Sequence, residues 1–134
     1  MTRSLIIASL LLVSTGWLLI PGSPDVQRGA YLVHHVAHCV ACHSPRNENG
    51  DLLPQRLLKG SPVPVTVPPF PGWSWAPRAP ALAGLPGWTD EEAVSFLRTG
   101  IIPRLGRPPR LPMPPFRFDE ADARAVVAYL RSLP

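Results

Sequence analysis

The stretch HCVACHSPR, residues 38–46, contains the residue types in this chain that are best suited to chemistry. It places two cysteines three positions apart, with a histidine directly after the second, and these are the chain's only cysteines. Three kinds of site use such a spacing: a haem bound through two thioethers and a histidine, a redox dithiol, and half of a zinc site. The surrounding sequence has to decide among them.

The residues around the motif favour the haem. A thioredoxin-like dithiol follows a strand in a βαβ unit, whereas the apolar residues of 26–37 recur at helical spacing. A zinc site needs four ligands, and with no further cysteine it would have to use histidines that lie close together along the chain. Those histidines are His34, His35, His38 and His43. We therefore expect Cys39 and Cys42 to attach a haem and His43 to ligate its iron.

The second axial ligand is predicted to be Met113. The chain has two methionines, and the other is Met1 at the tip of the N-terminal segment. The surrounding sequence RLPMPPF holds the backbone extended and removes competing amide donors, which is a stiff way to present a thioether. The alternatives are that Met113 only fills the core, or that one of the histidines before the motif is the ligand. His34 and His35 are too near the motif to cross a haem easily.

The N-terminus predicts a membrane anchor. After Arg3, residues 4–20 are uncharged and mostly apolar, and as a helix they would reach about 25 Å, slightly less than the roughly 30 Å of a hydrocarbon core. The single positive charge places the N-terminus in the cytoplasm. We expect residues 1–22 to be retained as a signal anchor and residues 23–134 to form one exported domain. The alternative is cleavage after Gly16.

Three helices are predicted from their capping residues. Ser23 begins a helix that runs to about Ala37, Thr89 begins a second helix that Gly100 ends, and Asp119 begins the last one. No segment has a convincing strand pattern, and the sequence has no internal repeat. The fold class expected is therefore a small all-α domain preceded by one transmembrane helix.

The long connection between the first two helices is rich in proline. Residues 44–88 show no convincing helix or strand, yet they contain Phe70, Trp73 and Trp75. Aromatic residues at this density are expected to be packed rather than solvated, and so long a loop in a small domain is expected to wrap a ligand.

Charge argues against a nucleic-acid partner. The formal net charge is +4, and the basic residues are spread without an aromatic-basic stripe. Several arginines near Met113 are predicted to form a positive rim attractive to an acidic partner, the alternative being an ordinary solvated face. They are Arg98, Arg104, Arg107, Arg110 and Arg117.

Three blocks of the sequence resemble a known family. RGAYLVHHVAHCVACHSPR, GWTDEEAVSFLRTG and MPPF with DEADARAVVAYLRSLP look like the blocks of class I mono-haem c-type cytochromes, in family order. The resemblance is to the membrane-associated bacterial kind that serves dehydrogenases and respiratory complexes. It implies a class I cytochrome c domain whose long proline-rich loops wrap one covalently attached haem c.

The resemblance also implies roles for particular residues. Cys39 and Cys42 would be the thioether attachments, His43 the proximal ligand and Met113 the distal ligand. It further implies that the terminal helices cross with Gly29 near Tyr129, and that the Pro45 region offers a backbone carbonyl to His43.

One departure from the family pattern is Arg78 in WAPRAPAL, where similar proteins often have asparagine and threonine after the proline. Arg78 could pair with a haem propionate or a partner, or it could be solvated.

The expected function is one-electron transfer and not catalysis. The chain would be a periplasmic protein anchored in a bacterial inner membrane, either a subunit of a respiratory or photosynthetic complex or a tethered shuttle between redox partners. No small-molecule substrate is evident. One alternative is a haem enzyme or gas-binding cytochrome with an open iron position, which Met113 argues against. Another is a non-haem interaction module that uses the proline-rich loop.

Overall fold

The computed structural model describes residues 22–65, 72 and 74–134. Within them the fold is mainly helical, as predicted, with long irregular connections. The α-helices are α1 (Pro24–Tyr31), α2 (Cys39–His43), α3 (Asp90–Thr99) and α4 (Glu120–Ser132). The remaining elements are a π-helical segment (Leu32–Val36), a 3₁₀ turn (Pro54–Arg56) and the strands β1 (Ser61–Pro62) and β2 (Arg78–Ala79).

The helix starts predicted from capping residues are confirmed. Ser23, Thr89 and Asp119 precede α1, α3 and α4, and each side chain accepts a hydrogen bond from an amide of the first helical turn. These bonds satisfy donors that have no partner within the helix. Gly100 ends α3 in the left-handed conformation, with φ of 68°. Helix boundaries here follow from local sequence.

The first helix changes geometry before the cysteine motif. After α1 the chain continues as the π-helical segment, and Ala37 caps it, so the predicted end near Ala37 is confirmed. His38 then adopts a left-handed conformation with φ of 51° and ψ of 35°, which is uncommon for a residue with a side chain. This turn separates the two helices, so α2 starts in a new direction at Cys39.

The crossing of α1 and α4 holds the two ends of the domain together. At Gly29 a Cβ atom would overlap the carbonyl oxygen of Ala125 and would lie 2.7 Å from Cβ of Tyr129. The predicted proximity of Gly29 and Tyr129 is therefore confirmed. Beside this contact, Arg28 forms a bidentate ion pair with Asp122, at 2.8 and 2.9 Å. Glycine permits the close approach and the ion pair flanks it.

Replacing Gly29 by alanine should destabilise the fold. The added methyl group meets backbone rather than a flexible side chain, so the two helices must separate, at a cost of about 3 kcal/mol. Chemical denaturation of the holoprotein would measure the loss. Gln27→Ala, on the exposed side of the same helix, is the matched control and should change stability little. Equal stability of the two variants would contradict the close crossing.

The expectation that the chain contains no strand was wrong. Strands β1 and β2 pair antiparallel over two residues each, and Val63 extends the pairing by donating to the carbonyl of Pro77 at 3.0 Å. The hydroxyl of Ser61 donates to the carbonyl of Cys42 at 2.6 Å. Such a short ladder depends on contacts across the fold and leaves no alternating pattern in the sequence. It attaches the long loop to α2.

Two predictions concern residues that the structure does not describe. The proposed membrane segment lies within residues 1–21, and Phe70 and Trp73 also lie outside the described residues. In the part of the chain that is described, no helix combines the length and hydrophobicity needed to span a membrane. Trp75 is described; it is partly buried and its backbone bridges to Leu111.

Arg104 fastens the loop after α3 to the start of that helix. Its guanidinium makes a bidentate ion pair with Glu92 at 2.7 and 2.8 Å, donates to the carbonyl of Gly87 and lies over the ring of Trp88, 5.3 Å from its centre. The side-chain bond from Arg104 and the amide of Thr89 lower the pKa of Glu92 to about 2. The stabilising form of Glu92 is therefore the carboxylate.

This ion pair predicts an acid-dependent contribution to stability. Because the pKa of Glu92 is lower in the folded chain, its contribution is present above the ordinary carboxyl pKa of about 4.5 and is lost as the pH falls towards about 2. Glu92→Gln should therefore lower the melting temperature at pH 7, and the difference from wild type should shrink at pH 3. Glu91→Gln, in the same turn, is the control. A constant difference at both pH values would contradict this role.

Candidate functional site

One cavity of about 400 Å³ lies between the helices and the long loops. Its inner wall is formed by buried apolar side chains of α3 and α4, and the loops on either side of α3 complete it. The inner wall includes Ala93, Leu97, Val126 and Leu130. A mostly apolar cavity of this size is within the range of about 300–1,000 Å³ that is typical of cofactor sites. The cavity is the candidate site.

Both cysteines of the motif line this cavity. Cys39 and Cys42 are partly buried and are not joined by a disulfide. Burial raises the pKa of Cys39 to about 11. Redox dithiols and nucleophilic cysteines work with a lowered thiol pKa, so the raised pKa of Cys39 argues against such a role for this thiol.

His43 presents a neutral imidazole to the same cavity. The side chain is 5% exposed, and its Nδ1–H donates to the carbonyl oxygen of Pro80 at 2.7 Å. Burial lowers the pKa of His43, and the bond to Pro80 opposes this only in part. The hydrogen bond fixes the tautomer and leaves Nε2 with a free lone pair, which is the arrangement that metal-ligating histidines show.

The expected carbonyl partner of His43 was wrong. The Pro45 region was predicted to supply it, but the Pro45 carbonyl accepts a hydrogen bond from the amide of Leu53 at 3.0 Å and is used in closing the loop between them. Pro80, which lies 37 positions after His43, supplies the carbonyl instead. Neither residue carries a local signal for this contact, because the β1–β2 pairing brings the Pro80 segment to the histidine.

Met113 also lines the cavity, on a loop that is tied to another loop. The amide of Leu111 donates to the Ser74 carbonyl at 3.0 Å, and the amide of Ala76 donates to the Leu111 carbonyl at 2.6 Å. The amide of Met113 itself donates to the Arg110 carbonyl at 3.2 Å. The loop carrying the thioether is thus held two residues before it. The cavity brings His43 and Met113 together although they are far apart in sequence.

The other histidines are placed differently from one another. His34 is hydrogen-bonded to the hydroxyl of Tyr129 at 2.6 Å, and His35 is exposed with its ring against Tyr31. Neither belongs to the cavity lining, whereas His38 does. His38 is fixed at the left-handed turn directly before Cys39. The geometry therefore leaves His34 and His35 away from the cavity.

The predicted arginine rim is only partly formed. Arg107 and Arg110 line the cavity, and Arg78 joins them. Arg98 and Arg104 are instead paired with Glu120 and Glu92. Arg117 donates to the carbonyl of Phe116.

These groups fit a covalently bound haem better than a zinc ion. Among the described residues no cluster of three or more histidine, cysteine or acidic side chains could hold a metal ion. The cavity instead offers two neighbouring thiols, one neutral imidazole, one thioether and a wide apolar wall. A haem fits this set, because its vinyl groups can bond to the two thiols and its iron can be ligated by the imidazole and the thioether. Its apolar ring would pack against the apolar wall.

The fold and the motif define a class of protein, the small helical carriers of covalently bound haem c. The chain belongs to the cytochrome c family, because the family model described as "Cytochrome c" matches residues 26–134. It is accordingly an electron-transfer domain, and the CxxCH motif at residues 39–43 implies covalent haem c.

Three relatives show where similar domains occur. The chain is 36% identical over 120 residues to a subunit of the nicotinate dehydrogenase of Pseudomonas putida, covering 83% of this chain and 9% of the relative. It is 30% identical over 117 residues to the "Alcohol dehydrogenase (quinone), cytochrome c subunit" of Gluconobacter oxydans, covering 83% and 24%. It is 28% identical over 133 residues to the "Diheme cytochrome c-type" of Cereibacter sphaeroides, covering 89% and 42%. The chain thus spans less than half the length of each of these relatives.

Proposed function

We propose that this chain carries single electrons through one haem c that is bound by Cys39 and Cys42 and ligated by His43 and Met113. The observation that carries the proposal is that these four side chains, which come from α2 and from a loop some seventy residues later, line one apolar cavity. With His43 and Met113 both holding the iron, little would rearrange on electron transfer and no position would be open to a substrate.

The residues of the chain would set the properties of the bound group. Haem supplies an iron that cycles between the ferric and ferrous states. The Pro80 carbonyl keeps the His43 ring oriented and increases its basicity as a ligand. The Met113 thioether favours the ferrous state more than a second imidazole would, and the apolar walls disfavour the more charged ferric form. Both effects favour a comparatively high reduction potential.

We further propose that the domain, residues 23–134, lies in the periplasm and is anchored in a bacterial inner membrane by residues 1–22. The uncharged segment after Arg3 supports the anchor. The names of two relatives, a dehydrogenase subunit and a cytochrome c subunit of a quinone alcohol dehydrogenase, support a place in a dehydrogenase complex. In that arrangement a separate chain would oxidise the substrate, and this chain would pass its electrons on.

Haem-stained native electrophoresis of gently solubilised source membranes tests this arrangement. We expect the stained band to migrate with a large assembly, and mass spectrometry of that band would name the electron donor or acceptor. A haem-positive band that migrates alone would contradict a stable subunit and would indicate a tethered shuttle.

A matched variant tests the anchor separately. Replacing residues 1–22 by an export signal that is known to be cleaved should move the holoprotein from the membrane fraction to the soluble periplasmic fraction, with its haem content unchanged. If the unaltered chain is already found in the soluble fraction, the anchor is wrong.

A further inference from the structure

Three arginines stand at the edge of a cavity that otherwise has almost no charge. Arg78, Arg107 and Arg110 line it, and each is an exposed residue. No aspartate or glutamate belongs to the described lining. Three guanidinium groups with no carboxylate in the described lining give this edge a positive potential that attracts an anion.

The three arginines differ from most of the others in the described chain, although Arg46, Arg56 and Arg117 also lack a carboxylate partner. Five other arginines form ion pairs with acidic side chains. Within the described residues, by contrast, Arg78 makes no side-chain hydrogen bond or ion pair, and Arg107 donates only to the carbonyl of Pro108 at 3.4 Å. Arg110 donates to the Ser74 hydroxyl at 2.9 Å and to the Trp75 carbonyl. None of the three has an acidic partner in the part of the chain that the structure describes.

We propose that Arg78, together with Arg107 and Arg110, binds the ionised propionate carboxylates of the haem. This inference rests on the proposed function. The inner wall is apolar and buried, and the two thiols lie at the motif, so the arginine edge is the part of the lining that suits carboxylates. A guanidinium binds a carboxylate through two parallel hydrogen bonds, and three cations exceed the charge of two propionates.

Arg78 has the central place in this arrangement because of its position in the chain. It lies in β2, two residues before Pro80, whose carbonyl orients His43. One short extended segment therefore carries both the contact to the imidazole and a free guanidinium. Binding of a propionate by Arg78 would couple the outer edge of the haem to the orientation of its iron ligand.

The pH dependence of the reduction potential tests this assignment. In the wild type the arginines keep both propionates ionised, so the midpoint potential should be flat between about pH 5 and pH 8. In Arg78→Met with Arg107→Met the potential at pH 7 should fall, because positive charge near the iron is lost. It should then rise on acidification, because a propionate that keeps only Arg110 nearby has a higher pKa than in the wild type and protonates. Arg56→Met, an exposed arginine that is not part of the cavity lining, is the matched control and should behave as wild type.

Two results would overturn the assignment. The first is a double variant whose potential and pH profile equal those of the wild type. The second is the same equality accompanied by a weaker salt dependence of electron exchange with the native partner, which would show that the arginines contact an acidic protein instead. If the double variant does not fold, redox-difference infrared spectra of the wild type decide, because propionates bound by arginines should show no protonation above about pH 5.

Failure of the proposed electron-transfer function would give a different experimental result from failure of the arginine assignment. Absence of covalent haem from the wild type would remove the proposed function itself. A normal haem content with a propionate that titrates near neutral pH would remove only the arginine assignment.

Discussion

Met113→Ala should open the iron to external ligands. The ferrous variant is expected to bind carbon monoxide, which the wild type should not do, because we propose that the Met113 thioether occupies the sixth position of the iron. The midpoint potential should also fall, by an appreciable part of the roughly 0.8 V that axial ligands span. Carbon monoxide difference spectra and a redox titration would measure the two effects.

A second substitution separates ligation from packing. Met113→Leu keeps most of the side-chain volume in the cavity but has no thioether, so it should bind carbon monoxide as Met113→Ala does while remaining nearly as stable as the wild type. If the ferrous wild type already binds carbon monoxide readily, Met113 is not the sixth ligand. The alternative function, a gas-binding or catalytic haem protein with an open iron position, would then be favoured.

His43→Ala should yield very little stable holoprotein. The buried imidazole is held by the Pro80 carbonyl, and its removal takes away both the proposed iron ligand and a side chain that fills the base of the cavity. We expect the haem content per chain to fall at least tenfold, since loss of a mere supporting contact already costs about 10–100-fold in metal affinity at comparable sites. Haem content and the visible spectrum of the purified protein would measure it.

His35→Ala is the control for this prediction. His35 belongs to the π-helical segment but is exposed and does not line the cavity. This variant should retain normal haem content and a normal spectrum. Normal haem content and spectrum in His43→Ala itself would refute its role as ligand.

The helices could be predicted because their signals are local. Ser23, Thr89 and Asp119 each hydrogen-bond an amide within their own first turn, so the information lies within a few adjacent positions. The left-handed conformation of His38 had no comparable signal, since the same residue type is common inside helices. The β1–β2 pairing was also missed, because two residues per strand are too few to show a period.

In the candidate site, too, the residues with a local sequence signal could be predicted and the long-range contacts could not. Cys39, Cys42 and His43 could be predicted as site residues because the motif is contiguous, and Met113 could be predicted by elimination, since the other methionine is Met1. All four line the cavity. The Pro80 carbonyl was missed because its contact joins residues 37 positions apart. Which arginines border the cavity was only partly predictable, because Arg107 and Arg110 do so but the other members of the predicted rim do not. Nearness to Met113 in sequence indicated Arg98 and Arg104, but the fold pairs both with glutamates.

The arrangement of the loops explains how so small a chain can hold a large cofactor. The described helices supply one wall of the cavity, and the segments around Pro80 and Met113 supply the others. Hydrogen bonds between residues 74–76 and Leu111 link these two segments. A bound haem would therefore complete the core of the domain, which agrees with the expectation that the proline-rich loops wrap a ligand.

Intact-mass spectrometry under denaturing conditions tests whether the chain carries one covalently bound haem c. The chain would be exported in cells that also produce haem-attachment machinery. It would then be purified, denatured and treated with a thiol-alkylating reagent. We expect the mass of the chain plus one haem and no alkylation, because both Cys39 and Cys42 would be in thioether bonds. A chain of unmodified mass that gains two alkyl groups would contradict it.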